Sequence, residues 1–358
     1  MKKVKVYKKV LLSFLAIMSI FIAGIVSTSS MVSASAVNFA VIPDMPDNQI
    51  NQDHGYFELK LDPNQSQTVN VTLKNDTDKD VVVGITMARA TTGMSGAVQY
   101  SSTADKDVKS LLDASFKHDI VKAVDVPDKA TIPAHSSIQV PINVKMPARS
   151  FNGVMAGALS FQQLNLKQEA PENRTAVINQ YAYTVGMTLQ NKQTAVTPNL
   201  KLDGVKAEQI NYRTAIVAAV HNTKATYINN VAIDGFISKR NSNHKLYQVN
   251  VKADQPGAGK QIAPNSVYNL PFYLGGEPLK PGKYTLDLTM TSHDHKWHFK
   301  QNFTIAGKQA QQYNKTDVDI VKINWWLIIG VVLLVLLLIG LFIWLLWHKR
   351  KRHHEEEK

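Results

Sequence analysis

The sequence predicts an all-β protein of two tandem immunoglobulin-like β-sandwiches, followed by one C-terminal transmembrane helix. Most of the chain alternates apolar and polar residues with a period of two, which is the pattern of half-buried strands. Clusters of Asn, Asp, Pro and Gly separate these short runs, as they do in β-sandwiches. Near the end, 23 uncharged residues form a run long enough to cross a bilayer core of ~30 Å as a helix.

The first sandwich is predicted over residues 37–164. Its clearest predicted strands are Val69–Leu73, Val81–Met87, Ile138–Met146 and Gly153–Phe161. Turn signals such as Asn75-Asp76-Thr77-Asp78 separate them. Val108–Val121 differs, because its apolar residues fall at helical spacing. We therefore expect a short helix or an ordered loop there.

A polar segment with a proline, residues 165–175, is predicted to link this sandwich to a second one over residues 176–306. The predicted strands are Val177–Leu189, Thr214–His221, Val231–Ile237, Lys245–Val251, Val267–Leu274, Lys283–Thr291 and Lys296–Ile305. The last two strands are expected to form a hairpin around residues 292–295. Its apolar side chains alternate in step, so they should pack into one core.

The two halves repeat one order of elements. Val71–Asn75 and Val217–Asn222 each end a strand at an Asn turn, and residues 132–137 and 262–266 each precede a strand. The similarity in sequence is weak, but the matching order favours two sandwiches of related topology. The Cys…Trp…Cys spacing of antibody domains is missing, so a true antibody-type domain is not predicted.

Residues 1–36 are predicted to be a secretory signal peptide. Five lysines precede the apolar run Val10–Val26, and a small-x-small cleavage site ends at Ala36. Cleavage after Ala36 would leave Val37 as the mature N-terminus. The alternative is an uncleaved anchor, because an apolar run of this length is slightly long for a signal peptide.

The C-terminal region is predicted to hold the protein in a membrane. A polar stalk, residues 307–324, precedes the transmembrane helix Trp325–Trp347, which has tryptophans at both ends, where indole rings prefer the headgroup level. The basic tail 348–358 is expected to stay cytoplasmic. A buried core helix is the alternative. The stalk lacks the Leu-Pro-x-Thr-Gly motif of sorting signals, so we expect the helix to be retained as the anchor.

The charge and the cysteine content of the chain indicate where the protein is located. Residues 37–324 hold 30 Lys and Arg against 25 Asp and Glu, a mild excess with no nucleic-acid-binding stripe. The chain has no cysteine, whereas a secreted eukaryotic ectodomain of this size usually has disulfides. These features are typical of a Gram-positive bacterial surface protein whose domains face the cell wall on a single-pass membrane anchor.

No motif for catalysis or for a cofactor is found, so we predict neither, and we predict no metal site. His293, Asp294, His295 and His298 are the strongest metal candidates, but a polar hairpin turn explains them better. Isolated histidines, His221 among them, are interpreted as surface or edge residues. The candidate ligand-binding residues are aromatic, although alternation also explains each as a core or sheet-face residue: Tyr56, Phe57, Tyr181, Tyr183 and Trp297.

Short motifs in both halves occur in a recognisable order. They are Gly55-Tyr56-Phe57-x-Leu59-x-Leu61-x-Pro63, Gln67-Thr68-x-x-Val71-x-Leu73-x-Asn75, Ala90-Thr91-Thr92, Phe151-Asn152-Gly153-Val154, Tyr181-Ala182-Tyr183, Ala263-Pro264-Asn265-Ser266, Pro281-Gly282-Lys283-Tyr284-Thr285-Leu286, and Trp297 with Phe303-Thr304-Ile305. Together with the signal and the anchor, they resemble the WxL-interacting protein family over residues 38–306. Asn64 departs from the Gly expected in a Pro-Gly turn, but Asn tolerates the left-handed conformation.

The resemblance implies a peptidoglycan-binding first domain, a host-binding second domain and partnership with secreted WxL-domain proteins. It implies no individual binding residue, because the matching motifs belong to the sandwich framework. The leading hypothesis is thus a membrane-anchored surface adaptor that binds peptidoglycan, WxL-domain proteins and extracellular host proteins. The alternatives are a cell-wall-active enzyme, which would show a cleft with paired carboxylates, and a membrane sensor, which would need a partner for its short tail.

Overall fold

The computed structural model describes residues 38–101, 108–113, 118–165 and 181–321, and then positions 326, 328–337, 339–340 and 343–344. The predicted signal peptide 1–36, nearly all of the predicted linker and the tail 348–358 lie outside the described residues. Within the described part, strands dominate, as an all-β fold requires.

The first sandwich contains ten strands among the described residues. They are β1 (Ala40–Asp44), β2 (Phe57–Lys60), β3 (Ser66–Asn75), β4 (Val81–Thr92), β5 (Val98–Ser101), β6 (Val124–Asp125), β7 (Lys129–Ile132), β8 (Ser136–Lys145), β9 (Met155–Gln163) and β10 (Ala182–Gln190). One sheet has the order β1-β3-β8-β6 and the other β2-β10-β9-β4-β5, with β7 also paired to β4. Alternate side chains of both sheets, such as Val71 and Phe161, meet in one buried core.

The strand β10 belongs to this first sandwich. It pairs antiparallel with β9 and parallel with β2. We expected the strand Val177–Leu189 to open the second sandwich at residue 176, and that assignment is wrong for this strand. Periodicity of two specifies which face of a strand is buried, but it does not specify the neighbouring strand.

The second sandwich repeats the first with fewer strands. They are β11 (Leu200–Ile210), β12 (Arg213–Asn222), β13 (Ile228–Lys239), β14 (Lys245–Val251), β15 (Lys260–Ile262), β16 (Val267–Tyr273), β17 (Gly282–Ser292) and β18 (His295–Ile305). The sheet orders are β11-β12-β16 and β14-β13-β17-β18, with β15 also paired to β13. These match β1-β3-β8 and β5-β4-β9-β10, with β15 in the place of β7. By this correspondence β10 is the counterpart of β18.

The Asn turns of the two halves have the same geometry. The Asn75 side chain donates to the carbonyl oxygens of Lys79, Ile132 and Pro133 at 2.8–3.1 Å. In the second sandwich, Asn222 donates to the carbonyl oxygens of Thr226 and Ala263 at 2.8 and 2.9 Å. Both asparagines are fully buried, so each fixes the loop that follows its strand.

The predicted hairpin is confirmed as β17 and β18, which are joined through His293 and Asp294 and paired from Gly282–Ile305 to Ser292–His295. Tyr284, Leu286, Leu288 and Met290 are buried on its inner face. Other local expectations hold as well. Asn64 has a φ of 64°. A 3₁₀ turn at Val108–Leu111 and the start of α1 (Ile120–Ala123) lie within the predicted helical segment.

The segment predicted as a stalk is largely docked on the second sandwich. It forms α2 (Gly307–Thr316), which buries Ala310 and packs Tyr313 against the core. Asn314 exchanges hydrogen bonds with the backbone of Leu279, at 2.7 and 3.0 Å. Asp317 then accepts a hydrogen bond from the Thr214 backbone at 2.7 Å. The predicted stalk 307–324 therefore begins as a docked helix and not as an extended segment, because its few apolar side chains, such as Ala310 and Tyr313, pack on the second core.

The region of the predicted membrane span is helical at every described position, namely 326, 328–337, 339–340 and 343–344. The remaining positions of Trp325–Trp347 lie outside the described residues. Among the residues that the structure does describe, no helix is both long and apolar enough to cross a membrane. Membrane insertion of Trp325–Trp347 therefore stays a prediction from the sequence.

Candidate functional site

A cleft of about 560 Å³ lies where the outer face of the β2-β10-β9-β4-β5 sheet meets the second sandwich. We call it the tyrosine cleft. Its principal lining residues are Tyr56, Tyr100, Gly186 and Thr188 of the first sandwich, and Tyr227, Asn229 and Gln261 of the second. The volume falls in the range of ~300–1,000 Å³ that is typical of small-ligand sites.

A row of small residues crosses the outer face of this sheet and reaches the cleft at Gly186. Ala88, Ala158 and Gly186 are directly opposite one another on β4, β9 and β10. They lie on the outer face, because the neighbouring residues Met87 and Leu159 are buried in the core. A Cβ atom added to Gly186 would lie 3.4 Å from Tyr56 Cβ and 3.6 Å from the Tyr100 hydroxyl. Two tyrosines therefore lie beside a row of residues that leaves room between them.

Three tyrosine hydroxyls share this environment. Burial raises the pKa of Tyr56, and Glu58 and Tyr100 raise it further. Burial also raises the pKa of Tyr100. Burial raises the pKa of Tyr227 as well, and Tyr100 and Tyr56 raise that pKa further. All three phenols are thus neutral near pH 7 and can both donate and accept hydrogen bonds. Their rings provide flat apolar surface for a ligand.

The other polar groups of the cleft are neutral. The Gln261 amide donates to Asn229 Oδ1 at 2.8 Å across the rim. The Thr188 hydroxyl is buried and has no hydrogen-bond partner, although it lies in the cleft wall. A buried hydroxyl without a partner is unfavourable in the free protein, so it is a group that a bound ligand can satisfy. No charged side chain lines the cleft among the described residues.

Contacts between the sandwiches set the position of the second side of the cleft. The Thr92 hydroxyl accepts from the Ala263 backbone at 2.9 Å and is 2.6 Å from the Ser266 hydroxyl. The Gln261 backbone donates to the Gly96 carbonyl oxygen at 2.9 Å. At Gly153, where φ is 88°, an added Cβ would come within 2.1 Å of the Ala225 carbonyl oxygen. The backbone segments at Gly153 and Ala225 approach too closely for any residue but glycine at position 153.

His221 also lies at this junction. Its Nδ1 is 3.1 Å from Asp203 Oδ2, and its Nε2 is 3.5 Å from Asp113 Oδ2 of the first sandwich. Its side chain is only 13% exposed. The prediction of a surface or edge histidine is therefore wrong, because the two sandwiches meet over it.

The predicted aromatic candidates are not brought together. Tyr56 lies in the cleft, whereas Phe57 is fully buried in the first core. Tyr183 packs edge-on against Phe39 at 5.3 Å, and Tyr181 is exposed at the start of β10. Trp297 packs on the second core and stacks on His295 at 5.8 Å. The candidate set thus contributes one residue, Tyr56, to the tyrosine cleft.

The sequence interpretation did not identify Tyr100, Thr188, Tyr227, Asn229 or Gln261 as site residues. They come from four separate strands and one strand-flanking position, so no local motif joins them. The alternation around Tyr100 and Thr188 places both residues on an outer face, and this was the one sequence signal that could have pointed to them.

The histidines near the β17–β18 turn make contacts of other kinds. His298 Nε2 is 2.9 Å from Asp287 Oδ1, and His295 stacks on Trp297. Across the described ranges, no group of three His, Cys, Asp or Glu residues is arranged to hold a metal ion.

The fold defines a protein of two β-sandwich modules. A family profile described as the WxL Interacting Protein peptidoglycan binding domain matches residues 39–163, and one described as the host binding domain of the same proteins matches residues 172–315. The chain belongs to the WxL-interacting protein family. Both matched domains are binding domains, which supports a cell-surface binding function and association with the cell wall.

Other comparisons add less. No curated protein sequence matches the chain. A chaperone–tip adhesin complex of CFA/I fimbriae is 10% identical, covers 74% of this chain and 98% of its own, and has a TM-score of 0.31. The CsuC–CsuE chaperone–tip complex of Acinetobacter baumannii is 12% identical, with coverages of 74% and 98% and a TM-score of 0.30. TM-scores of this size do not establish a common fold.

Proposed function

We propose that this protein is a membrane-anchored adaptor at the cell surface that binds peptidoglycan in the tyrosine cleft and also binds secreted WxL-domain proteins. The observation that supports this most is the position of the cleft. Two of its tyrosines, Tyr56 and Tyr100, lie within residues 39–163, the segment that matches the peptidoglycan-binding domain. Hydroxyls, amides and aromatic rings are the groups expected in a site for a polymer rich in hydroxyl and amide groups.

Co-sedimentation with purified Gram-positive peptidoglycan sacculi tests this binding. The purified full-length chain should pellet with sacculi, and the Tyr56→Ala/Tyr100→Ala double variant should bind at least about tenfold more weakly, since two ring contacts are lost. Tyr273→Ala is the matched control, because Tyr273 is 52% exposed and lies outside the cleft. A wild-type protein that stays in the supernatant would contradict the proposal.

Partnership with WxL-domain proteins is supported by the family membership and by the open sheet edges. The strand β14 pairs with β13 on one side, and no second neighbouring strand is found among the described residues. An exposed edge of this kind suits recognition by strand addition. Immobilised full-length protein should retain a WxL-domain protein from the secreted fraction of its own cells. Retention of none would count against this part of the proposal.

Anchoring is supported by the sequence of Trp325–Trp347 and the basic tail. If this segment is the anchor, a chain ending at residue 321 should appear in the culture medium, whereas the full chain should fractionate with membranes. Release of both forms would exclude an anchoring role.

A further inference from the structure

We infer that the tyrosine cleft is a composite site, completed by the second sandwich, and that its ligand is the uncharged, N-acetylated glycan of the wall polymer rather than its peptide. This inference rests on the proposed function, but it assigns residues of the host-binding domain to the glycan site. It also separates the two chemical components of peptidoglycan.

The second sandwich supplies one wall of the cleft. Tyr227 directly precedes β13, Asn229 is the second residue of β13, and Gln261 lies on the adjacent strand β15. Tyr227 lines the same cleft as Tyr56 and Tyr100. A ligand that fills the cleft therefore has ring contacts available from both sandwiches.

The junction between the sandwiches fixes this wall. Gln261 donates its backbone N–H to the Gly96 carbonyl oxygen while its side chain bonds to Asn229. The same residue thus ties the domains together and presents an amide to the cleft. The groups on the two sides are held in position before a ligand arrives, which reduces the entropic cost of binding.

The chemistry of the lining selects a neutral ligand. The lining has no Lys, Arg, Asp or Glu to pair with the carboxylates and amines of a peptide. Glu58 acts on Tyr56 at the edge of the lining and is itself paired to His54 at 3.0 Å. A carboxylate on a ligand would be repelled by Glu58 and lose hydration without compensation. Sugar hydroxyls and acetamido groups match the phenols, the Asn229–Gln261 amide pair and the unpartnered Thr188 hydroxyl.

Calorimetry on the purified full-length chain with two probes tests the inference. Chitotriose supplies N-acetylated sugar without charge, and a synthetic stem pentapeptide supplies the peptide without sugar. We expect chitotriose to bind and the pentapeptide to show at least about tenfold weaker affinity. Binding of the pentapeptide in preference to chitotriose would overturn the ligand assignment, even if the protein still pellets with sacculi.

Variants of the second sandwich test the composite site. Tyr227→Ala should weaken chitotriose binding at least about tenfold, and Asn229→Ala, at an exposed position, about threefold. Tyr273→Ala, also in the second sandwich, should leave the affinity unchanged. Because Tyr227 is half-buried, Tyr227→Phe provides a folded variant that lacks the hydroxyl alone, and it should bind about threefold more weakly. Unchanged affinity in both the Asn229 and Tyr227→Phe variants would overturn the role of the second sandwich while the proposed function stands.

Discussion

The outer faces of two corresponding sheets differ sharply in this protein. In the first sandwich, the three residues opposite one another on β4, β9 and β10 are Ala88, Ala158 and Gly186. In the second, one row across β13, β17 and β18 is Asp234, Thr289 and His298. Ala88 and Ala158 are almost fully buried although they face outward, whereas Asp234 and His298 are exposed.

The difference shows how one framework serves two purposes. Strand order and the buried Asn turns are common to both sandwiches. Small residues on the first outer face let tyrosines and the other domain approach closely. Charged and polar residues on the second face, such as the His298–Asp287 pair at 2.9 Å, keep it in water. The framework specifies the fold, and the outward-facing positions specify which sheet carries the tyrosine cleft.

The largest expected effect comes from breaking what the sandwiches have in common. Asn75→Ala should lower the free energy of unfolding of the first sandwich by about 3 kcal/mol, because three carbonyl oxygens lose their donors in a buried loop. Asn222→Ala removes two such donations and should cost about 2 kcal/mol in the second. Chemical denaturation of each variant measures both values. Equal stability of wild type and variants would refute a common framework role.

The next largest effect comes from placing the same large apolar side chain on the outer face of each sandwich, which tests the difference between the two faces. Gly186→Leu should fill the tyrosine cleft and weaken sacculus binding at least about tenfold, or by about 1.4 kcal/mol, with little effect on the core. The matched change His298→Leu adds the same side chain to the exposed face of the second sandwich. It should leave binding as in the wild type. Co-sedimentation of the two variants side by side gives the comparison, and equal losses would argue against the cleft.

Asp317, which caps the docked helix α2, gives the second sandwich a pH dependence. Burial raises the pKa of Asp317, but hydrogen bonds from Thr214 and the backbone of Asp319 and Ile320 outweigh this effect and lower the pKa below its usual value. The carboxylate therefore stabilises the folded state above its unfolded pKa of about 4, and this contribution is lost as the pH falls through the lower folded pKa.

Asp317→Asn should accordingly destabilise the second sandwich by about 1 kcal/mol near neutral pH, and the gap from the wild type should close in acid. Unfolding free energies measured for both proteins from neutral pH down to about pH 2 would show this convergence. A constant gap across that range would mean that the charge of Asp317 contributes nothing.

The smallest effect concerns a single hydroxyl. Thr188→Val removes the buried oxygen that has no partner, so the free protein should be equally stable or slightly more stable. Binding to sacculi should weaken about threefold if a ligand satisfies this hydroxyl. Thermal unfolding and co-sedimentation together distinguish this from an ordinary packing role, in which stability would fall and binding would not change.

Much of the framework was predictable from alternation, and the exceptions have physical causes. The strand β11 was missed because a register shift between Leu202 and Gly204 reverses the alternation within it. The partner of β10 was missed because pairing depends on residues far away in the chain. For α2, the buried side is a single alanine with a tyrosine three residues on, too weak a pattern to predict a helix.

Less of the candidate site was predictable. The alternation indicated which residues face outward, and Tyr56 was among the aromatic candidates. It could not indicate that Tyr100 and Tyr227 converge with Tyr56, because the three residues belong to different strands and to both sandwiches. Such a site forms only once the domains are joined through contacts like that of Thr92 with Ala263.

Hydroxyl-radical footprinting of the full-length protein, with and without soluble peptidoglycan glycan fragments, tests the central claim most directly. Tyr100 is 40% exposed in the cleft, and Tyr212 and Tyr273 are 68% and 52% exposed outside it. We predict that the ligand protects Tyr56, Tyr100 and Tyr227 from oxidation and leaves Tyr212 and Tyr273 unchanged. Protection of Tyr273 or of the β17–β18 face, with Tyr100 still reactive, would contradict the assignment of the binding surface to the tyrosine cleft.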